Sequence, residues 1–301
     1  MKNIIYECGL PNTLSGGFGD RLIGIISCIS LCEKYNCNFF IKWHDTQLNE
    51  YFDYELYDYF KFTFSSNTHK ICNHNMNELK QIFQNKNEED FKCENLIINT
   101  NQNIWQFINK YNSKEEYEEY TYTLFKKLFN VYLKPNTYLL NSITEKIDNK
   151  SIIGIQLRFG DVFMNNENKQ INNPQYNHFP LGRNIDMIRE TILKICTDNQ
   201  DKNIFITSDI DINKIINISG IKNVIYNNKP PVHLERTINK NDLGKCYIDF
   251  LILCKCEKLY ITFESNFGRI PGIIVKDNVY AINSNLKINN ISINELSCKM
   301  Y

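Results

Sequence analysis

The chain has 301 residues, with 34 Lys or Arg and 34 Asp or Glu, so its formal net charge is zero. A hydrophobic content of 43%, with 13% aromatic residues, excludes a disordered chain. The balanced charge argues against a protein that binds nucleic-acid polymers, because affinity for a phosphate backbone depends on an excess of basic residues. The length allows one large domain or two domains of roughly 150 residues each.

Eleven cysteines raise the question of a secreted disulfide framework. The N-terminal residues contain no apolar run long enough for a signal peptide, and no uncharged stretch is long enough to span a bilayer. The cysteine spacings are also unlike those of zinc sites, since Cys254 and Cys256 are separated by a single residue. We therefore expect a cytoplasmic chain whose thiols are small core residues.

The first half of the chain begins with a strand–loop–helix–strand pattern. Residues 4–8 form a strand-like run, residues 21–35 carry apolar side chains at helical spacing, and residues 38–43 predict a second strand. Residues 51–103 have weak periodicity and support no assignment. Residues 116–133 predict a long helix, and a further helix runs to residue 149.

The second half repeats the alternation of strands and helices. A β-branched run predicts a new buried strand over residues 152–157. The elements after it are helix 185–196, strand 204–207, strand 224–226, helix 243–254 and strand 259–261. Because the pattern restarts after residue 149, we predict two domains, residues 1–149 and 150–301. The alternation within each domain predicts two doubly wound α/β lobes that face a central cleft.

A glycine cluster lies between the first strand and the first helix. Gly17 and Gly19 would bring backbone N–H groups close to a ligand and direct the start of the helix at negative charge. Leu22 stands where a dinucleotide-binding fingerprint has its third small residue, which argues against that fingerprint. The alternative is a tight turn that packs the helix against the strand. Asp20 and Arg21 form a polar pair at the start of the helix in either case.

Arg158 follows the predicted strand 152–157, at the carboxyl end where open α/β sheets bind ligands. A guanidinium there suits a phosphate, because its planar fork can donate two hydrogen bonds to one group. If that phosphate is a leaving group, the positive charge stabilises the negative charge that develops on it. The alternative is a structural ion pair between Arg158 and Asp161.

Asp249 lies in an otherwise apolar predicted helix, where burying a carboxylate is costly unless it is paired. A carboxylate can accept the adjacent N1–H and N2–H donors of guanine, a donor pair that adenine lacks. Ser265 and Asn266 stand between a strand and the start of a helix. They either cap that helix or contact a phosphate.

Asp209 and Asp211 follow the predicted strand 204–207 as an Asp-x-Asp sequence. This short pattern is a manganese-binding signature. Three-residue patterns are common by chance, and the surroundings predict that Asp211 caps a helix. We interpret Ser208 and Asp209 as residues that line a cleft.

Three runs of residues, taken in order, resemble motifs of the superfamily that contains the α1,2-, α1,6- and protein O-fucosyltransferases. Residues 16–20 (Gly-Gly-Phe-Gly-Asp) are similar to its G-x-(F/L)-G-(N/D) turn, and residues 156–161 (Gln-Leu-Arg-Phe-Gly-Asp) to its H-x-R-x-x-D signature. Residues 262–269 (Thr-Phe-Glu-Ser-Asn-Phe-Gly-Arg), with Asp249 before them, are similar to its T-F-S-S-x-x-x-R motif. Gln156 replaces the usual His, and Glu264 replaces a Ser.

The resemblance implies two Rossmann-like lobes in the GT-B arrangement, with an acceptor-side lobe at residues 1–149 and a lobe that binds a GDP-sugar at residues 150–301. It implies an inverting transfer of fucose, or a related deoxysugar, to a glycan or protein hydroxyl, with no metal and no other cofactor. It places Arg158 on the pyrophosphate and Asp249 on guanine. The chemistry of the residues and the resemblance together predict these donor-binding residues: Gly17, Gly19, Gln156, Arg158, Asp161, Ser208, Asp209, Asp249, Thr262, Phe263, Glu264, Ser265, Asn266 and Arg269.

Inverting transfer also needs a base that removes the proton of the acceptor hydroxyl. Asp20 and Glu167 are the candidates, and together with Arg158 they form the predicted catalytic set. His178 and His233 rank lower, because single histidines in loops are usually surface residues.

Two other hypotheses stay open. The first is a metal-dependent glycosyltransferase that uses Asp209 and Asp211. The second is a sugar-nucleotide- or glycan-binding protein without activity, which the replacement at Gln156 favours. An abundance of residues with A/T-rich codons, with Ala281 as the single alanine, is typical of AT-rich microbes and of large DNA viruses of protists. We therefore expect that this chain is a viral protein in the host cytoplasm.

Overall fold

A computed structural model describes residues 2–9, 16–44, 48–54, 68–72, 93–108, 110–148, 150–160, 181, 184–226 and 240–298. The chain divides into two compact units, which we call unit 1 (Met1–Asn136 with Ser297–Tyr301) and unit 2 (Thr137–Leu296). The side-chain amide of Asn103 donates to the backbone oxygen of Ser297 at 3.0 Å, which fastens the C-terminal segment to unit 1.

Unit 1 is built on a four-stranded parallel sheet in the order β2-β1-β5-β4. Its strands are β1 (Asn3–Cys8), β2 (Asn38–Trp43), β3 (Phe52–Asp53), β4 (Thr68–Cys72), β5 (Asn95–Asn99) and β6 (Lys134–Pro135), the short β3 and β6 forming an antiparallel pair of their own. Its helices are α1 (Phe18–Tyr35), α2 (Trp105–Ile108) and α3 (Lys114–Lys127), and α3 continues into a π-helical turn (Leu128–Tyr132). Both predicted strands and the first predicted helix are confirmed.

Helix α1 packs closely on this sheet because Gly24 has no side chain. A Cβ atom added there would lie 2.1 Å from the backbone oxygen of Thr100 and 2.3 Å from the ring of Tyr6. Real Cβ atoms do not approach backbone atoms at such distances, so helix and strand can meet here only at a glycine.

We expect Gly24→Ala to lower the free energy of unfolding by about 1–3 kcal/mol, because the overpacked methyl group must push α1 away from β1. Gly220→Ala in unit 2 is the matched control, since nothing lies within 4 Å of a Cβ added at that exposed glycine. Urea unfolding of both variants measures the difference. Equal stability of the two variants would show that the close approach of helix to strand is not a constraint.

Unit 2 contains a six-stranded sheet in the order β12-β11-β10-β7-β8-β9, parallel except for the pairing of β12 with β11. Its strands are β7 (Ile152–Leu157), β8 (Asn203–Ser208), β9 (Val224–Tyr226), β10 (Lys258–Thr262), β11 (Val279–Ile282) and β12 (Ile288–Asn290). Its helices are α4 (Thr137–Ile147), α5 (Ile185–Asp198), α6 (Lys240–Leu253), α7 (Asn266–Val275) and α8 (Ile293–Cys298), whose last two residues belong to unit 1. The predicted strands and helices of this half are confirmed.

The sheet of unit 2 has helices on both faces. Ile153, Ile155 and Leu157 of β7 pack in one hydrophobic core with residues of α5. Gly154 and Gln156 point to the other face, where α6 and α7 contact β7. The chain runs outward from β7 to β8 and β9 and then returns to β10 on the other side of β7. Ligands of open α/β sheets bind where the strand order reverses in this way, here at β7 and β10.

The predicted domain boundary, between residues 149 and 150, differs from the division into units at Asn136 and Thr137. Helix α4 precedes the predicted boundary but packs against α6, so it belongs to unit 2. The mixed α/β class with parallel sheets agrees with the prediction. Within the described ranges, the helices include none with an apolar stretch of the length that a bilayer crossing requires.

Candidate functional site

Three predicted site residues of unit 2 lie at one edge of its sheet. Arg158 follows β7 directly, Asp209 follows β8 directly, and Phe263 follows β10. Because these three strands are parallel neighbours, their carboxyl ends lie side by side. The edge coincides with the point where the strand order reverses.

Arg158 and Asp209 form an ion pair across this edge, with Nη1 3.2 Å from Oδ2 and side chains 27% and 10% exposed. The carboxylate of Asp209 also accepts the backbone N–H groups of Phe159 at 2.8 Å and Gly160 at 3.0 Å. Gly160 has a φ of 96°, a conformation that favours glycine. Asp209 therefore holds both the guanidinium and the backbone of Phe159 and Gly160.

Burial raises the pKa of the Asp209 carboxyl, and the Arg158 guanidinium with the two backbone N–H groups offsets part of that rise. The strand end is held from its other side by Thr262, whose hydroxyl accepts the backbone N–H of Arg158 at 2.9 Å and donates to the backbone oxygen of Gln156 at 3.3 Å. Thr262 is fully buried, and its hydroxyl positions the backbone of Arg158. Its contact with the donor stays a prediction.

Gln156 and Ser265 connect β7 to the start of α7. The side-chain amide of Gln156 donates to the Ser265 hydroxyl at 3.1 Å, and both residues are more than nine-tenths buried. A Cβ added at Gly268 would lie 2.4 Å from Oε1 of Gln156, so the absence of a side chain at Gly268 leaves room for the side chain of Gln156. Ser265 stands at the N-cap of α7, where its backbone oxygen accepts the N–H groups of Gly268 and Arg269.

Four further predicted residues lie beside this helix start. Arg269 is 3% exposed, its guanidinium carbon is 5.7 Å from the centre of the Phe263 ring, and its Nη1 donates to Asn266 at 3.3 Å. Glu264 is exposed to solvent. The arrangement adds a second arginine to the same edge of the sheet.

Asp249 is buried to 1% exposure and its Oδ2 is shared by two donors. Lys245 Nζ lies 2.8 Å from it and the Thr207 hydroxyl 2.9 Å from it. The sequence argument required a partner for this carboxylate and did not name Lys245, although Lys245 stands one helical turn before it. The guanine contact of Asp249 stays a prediction; in this structure the carboxylate is already bonded inside unit 2.

The glycine cluster of unit 1 is a helix cap. Asp20 Oδ2 accepts the backbone N–H of Gly17 at 2.9 Å, and the φ of Gly16 is 69°. Arg21 is fully buried, donates from Nε to the oxygen of Gly16 at 3.1 Å and lies 4.8 Å over the ring of Trp43. The carboxylate of Asp20 therefore fastens the start of α1, which agrees with the tight-turn alternative and leaves its role as a base a prediction.

The two aspartates of the Asp-x-Asp sequence contact different groups. Asp209 belongs to the Arg158 pair, whereas Asp211 is the N-cap of a 3-10 turn and accepts the backbone N–H of Asn213 at 3.1 Å. The prediction that Asp211 caps a helix is confirmed. Ser208 ends β8, and its hydroxyl accepts the backbone N–H of Ile210.

Four predicted residues lie outside the described part of the chain. They are Asp161, Glu167, His178 and His233.

A second polar cluster, which sequence reasoning missed, lies on unit 1 around Glu7. The carboxylate contacts Lys42 Nζ at 2.7 Å and His44 Nε2 at 3.1 Å, and it also binds the ammonium of Lys70. Burial opposes ionisation of Glu7, but the hydrogen bonds from the two lysines and the histidine outweigh it and lower the pKa of Glu7 to about 2. These residues come from three strands, so no local motif signals them.

The lowered pKa of Glu7 makes the stability of unit 1 depend on pH. A carboxylate with a folded-state pKa below its ordinary value of 4.5 stabilises the fold above that value and loses this contribution as the pH falls from 4.5 to about 2. We expect a loss on the order of 3 kcal/mol over this interval, since each pKa unit corresponds to about 1.4 kcal/mol. In urea unfolding between pH 6 and pH 2.5, the free energy of unfolding should fall less with decreasing pH in Glu7→Gln than in the wild type. Glu94→Gln, at an exposed pair with Lys2, is the control. Equal slopes for wild type and Glu7→Gln would contradict the prediction.

No protein-family model matches this sequence, and no curated protein matches it in sequence. Solved structures do match. NodZ, an α1,6-fucosyltransferase from Bradyrhizobium, soaked with GDP-fucose, is 14% identical with a TM-score of 0.63, over 97% of this chain and 99% of that chain. The chain has the fold of a fucosyltransferase.

Two other structures support this likeness. A variant of FUT1 from Arabidopsis thaliana, in complex with GDP, is 12% identical with a TM-score of 0.60, over 97% of this chain and 74% of that chain. POFUT1 in complex with GDP is 12% identical with a TM-score of 0.51, over 91% of this chain and 94% of that chain. The predicted resemblance to fucosyltransferases is thus confirmed at the level of the fold.

Proposed function

We propose that this protein is an inverting, metal-independent glycosyltransferase that moves fucose, or a related deoxysugar, from a GDP-sugar to a hydroxyl of a glycan or protein. Unit 2 would bind the donor and unit 1 the acceptor, as the two lobes of a GT-B enzyme. We also propose that the protein is viral and acts in the cytoplasm of the host cell, as expected from the sequence. The observation that carries the proposal is Arg158, held by Asp209 at the carboxyl edge of the unit 2 sheet.

The chemistry explains why a fixed arginine matters. In the transfer, the acceptor oxygen forms a bond to the anomeric carbon while the bond from that carbon to the β-phosphate oxygen breaks. Negative charge then develops on the departing diphosphate, and a guanidinium already in place stabilises it without reorganisation. A guanidinium has five N–H donors, so Arg158 can contact a phosphate while it stays bonded to Asp209.

Comparison with the solved structures supports the donor class. NodZ was soaked with GDP-fucose, and the Arabidopsis FUT1 and POFUT1 structures contain GDP. Arg158, in the motif that resembles H-x-R-x-x-D, directly follows β7. Ser265, in the motif that resembles T-F-S-S-x-x-x-R, directly precedes α7. Both positions adjoin the edge where a diphosphate is expected to bind.

The engagement of both aspartates supports transfer without a metal ion. Asp209 bonds to Arg158 and two backbone N–H groups, and Asp211 caps a 3-10 turn, so the two carboxylates do not converge. The base is proposed to be a carboxylate, with Glu167 and Asp20 as the candidates.

Thermal unfolding with equal concentrations of GDP, UDP, dTDP and ADP tests the donor class. A ligand that binds only the folded state raises its stability in proportion to the logarithm of its concentration over Kd, so we expect a rise of Tm with GDP and much smaller rises with the others. An equal rise with UDP or ADP would contradict the proposal.

Release of GDP from GDP-fucose, with and without EDTA, separates the remaining hypotheses. We expect release, by transfer to an added acceptor or to water, at a rate that EDTA leaves unchanged. Loss of release in EDTA with recovery in Mn²⁺ would support the metal-dependent alternative. GDP binding without any release would support a binding protein.

A further inference from the structure

The side chain of Gln156 carries a buried polar atom that the fold leaves without a partner. It points to the face of the unit 2 sheet on which α6 and α7 pack, and the residue is 3% exposed. Its Nε2 donates to the Ser265 hydroxyl, whereas its Oε1 is buried with no hydrogen-bond partner among the residues that the structure describes. A buried oxygen without a donor costs free energy, so an apolar side chain of similar size would make this site more stable.

Ser265 is an N-cap residue whose side chain does not cap its helix. Its hydroxyl makes no hydrogen bond to the backbone N–H groups at the start of α7. Serine is one of the residues whose side chain most often makes that bond at this position. The hydroxyl oxygen is turned to Gln156 instead, at 3.1 Å from Nε2. The side chain of Ser265 therefore does not fill the capping role that the sequence allowed.

The direction of this hydrogen bond leaves the proton of the Ser265 hydroxyl available. A hydroxyl has one proton and two lone pairs, and the contact with Nε2 uses a lone pair. Within the described ranges, the Ser265 hydroxyl donates its proton to no other group. Because the residue is only 6% exposed, a ligand oxygen would give this buried donor the acceptor that it lacks.

The place of Ser265 in the fold indicates that this ligand oxygen is anionic. The residue directly precedes α7, a helix of ten residues, and it comes three residues after the end of β10. The start of a helix favours negative charge because its backbone N–H groups and its dipole point to the ligand. Arg158 follows the neighbouring strand β7. A diphosphate oxygen meets these conditions.

We propose that Gln156 is a positioning residue: its amide holds the Ser265 oxygen, so that the hydroxyl proton is donated to the diphosphate of the bound donor. The amide itself does not contact the diphosphate and acts only through Ser265. The inference rests on the proposed function, which supplies a diphosphate at this edge of the sheet. It explains why a buried amide with an unpartnered oxygen occupies this position.

Calorimetry with GDP on a double-mutant cycle tests the coupling of the two residues. Ser265→Ala should weaken GDP binding about ten-fold, as expected for a lost hydrogen bond to a charged group. Gln156→Met should weaken it about five-fold, because the hydroxyl proton is then no longer directed. The double variant should bind GDP within about two-fold of Ser265→Ala, since without the hydroxyl the amide has nothing to position. Unchanged GDP affinity in Gln156→Met, or losses that multiply in the double variant, would overturn the proposal.

Urea unfolding separates positioning from a purely structural role. Gln156→Met should be at least as stable as the wild type, since it removes a buried oxygen that has no donor. Asn199→Leu is the matched control, because Asn199 is also a buried amide of unit 2, before the start of β8, and its Nδ2 donates to the backbone oxygen of Ile195 at 2.7 Å. The control should lose stability and keep the GDP affinity of the wild type. A loss of stability in Gln156→Met as large as in the control would assign the amide a structural role and overturn the proposal.

GDP binding by the wild type keeps this inference apart from the proposed function. If the wild type binds no GDP, the proposed function fails and the inference fails with it. If the wild type binds GDP and the cycle shows no coupling between Gln156 and Ser265, only the inference fails, because the donor class is then unaffected.

Discussion

An Arg158→Ala variant is expected to bind GDP about ten- to a hundred-fold more weakly than the wild type, because a hydrogen bond to a charged group contributes about 1.5–3 kcal/mol. The release of GDP from GDP-fucose should fall further, by about 10²–10³-fold, since the developing charge on the diphosphate loses its fixed partner. The substitution also leaves Asp209 without the ion partner that lies 3.2 Å away. Calorimetry with GDP and a rate measurement with GDP-fucose check the two effects.

Two further variants show whether the arginine acts through charge or through geometry. Arg158→Lys keeps the charge but loses the planar fork, so it should recover part of the affinity and little of the rate. Arg189→Ala is the matched control in the same unit, because that arginine contacts Asp186 on the exposed surface of α5. Unchanged GDP affinity in Arg158→Ala would remove the main support for the proposed donor site.

The largest effect on stability is expected for Asp249→Ala, with a loss of about 3–5 kcal/mol in the free energy of unfolding. The substitution leaves the ammonium of Lys245, only 7% exposed, buried without its counter-charge. It also removes the acceptor of the Thr207 hydroxyl. Urea unfolding monitored by circular dichroism measures the loss.

The double variant Lys245→Met with Asp249→Leu tests the physical cause. Replacing both members of a buried ion pair by apolar side chains is often neutral, so the double variant should recover most of the stability that Asp249→Ala loses. Asp186→Ala removes the partner of Arg189 at a surface pair and should change stability by less than about 1 kcal/mol. If the free energy of unfolding falls no more in Asp249→Ala than in this control, the Lys245–Asp249 pair does not stabilise the fold.

Asp249→Asn connects this pair to the proposed nucleotide specificity. The amide can still accept from Thr207, so the variant should stay folded at low temperature. If Asp249 contacts guanine, GDP binding should weaken while the response to other diphosphates is unaffected. If GDP binds the folded variant as it binds the wild type, the carboxylate is structural only.

Much of the fold follows from local sequence patterns. Short runs rich in apolar and β-branched residues predict β1, β2, β7 and β10. Helical spacing predicts α1, α5 and α6 in the same way. The start of α1 lies three residues before the predicted one, at Phe18, since Asp20 and Gly17 cap the helix. The division into units differs from the predicted domain boundary because α4 packs against α6, a tertiary contact that the sequence pattern does not show.

The site was predictable only in part. Arg158 follows from its place after a buried strand, and Asp209 from its place after the next one, but their pairing depends on the register of β7 and β8. Sequence reasoning offered Asp161 as the partner because it is three residues away. Glu7 was missed because its partners are set by the order of the strands, which no local pattern encodes. Lys245 stands four residues before Asp249 on one helix, a local signal that the sequence reasoning did not use.

A crystal structure of the full chain with GDP tests the central claim most directly. The expected result is the β-phosphate within hydrogen-bond distance of the Arg158 guanidinium, with Asp209 still bonded to the arginine. A diphosphate bound away from the carboxyl ends of β7 and β10, with Arg158 making no contact to it, would contradict the claim.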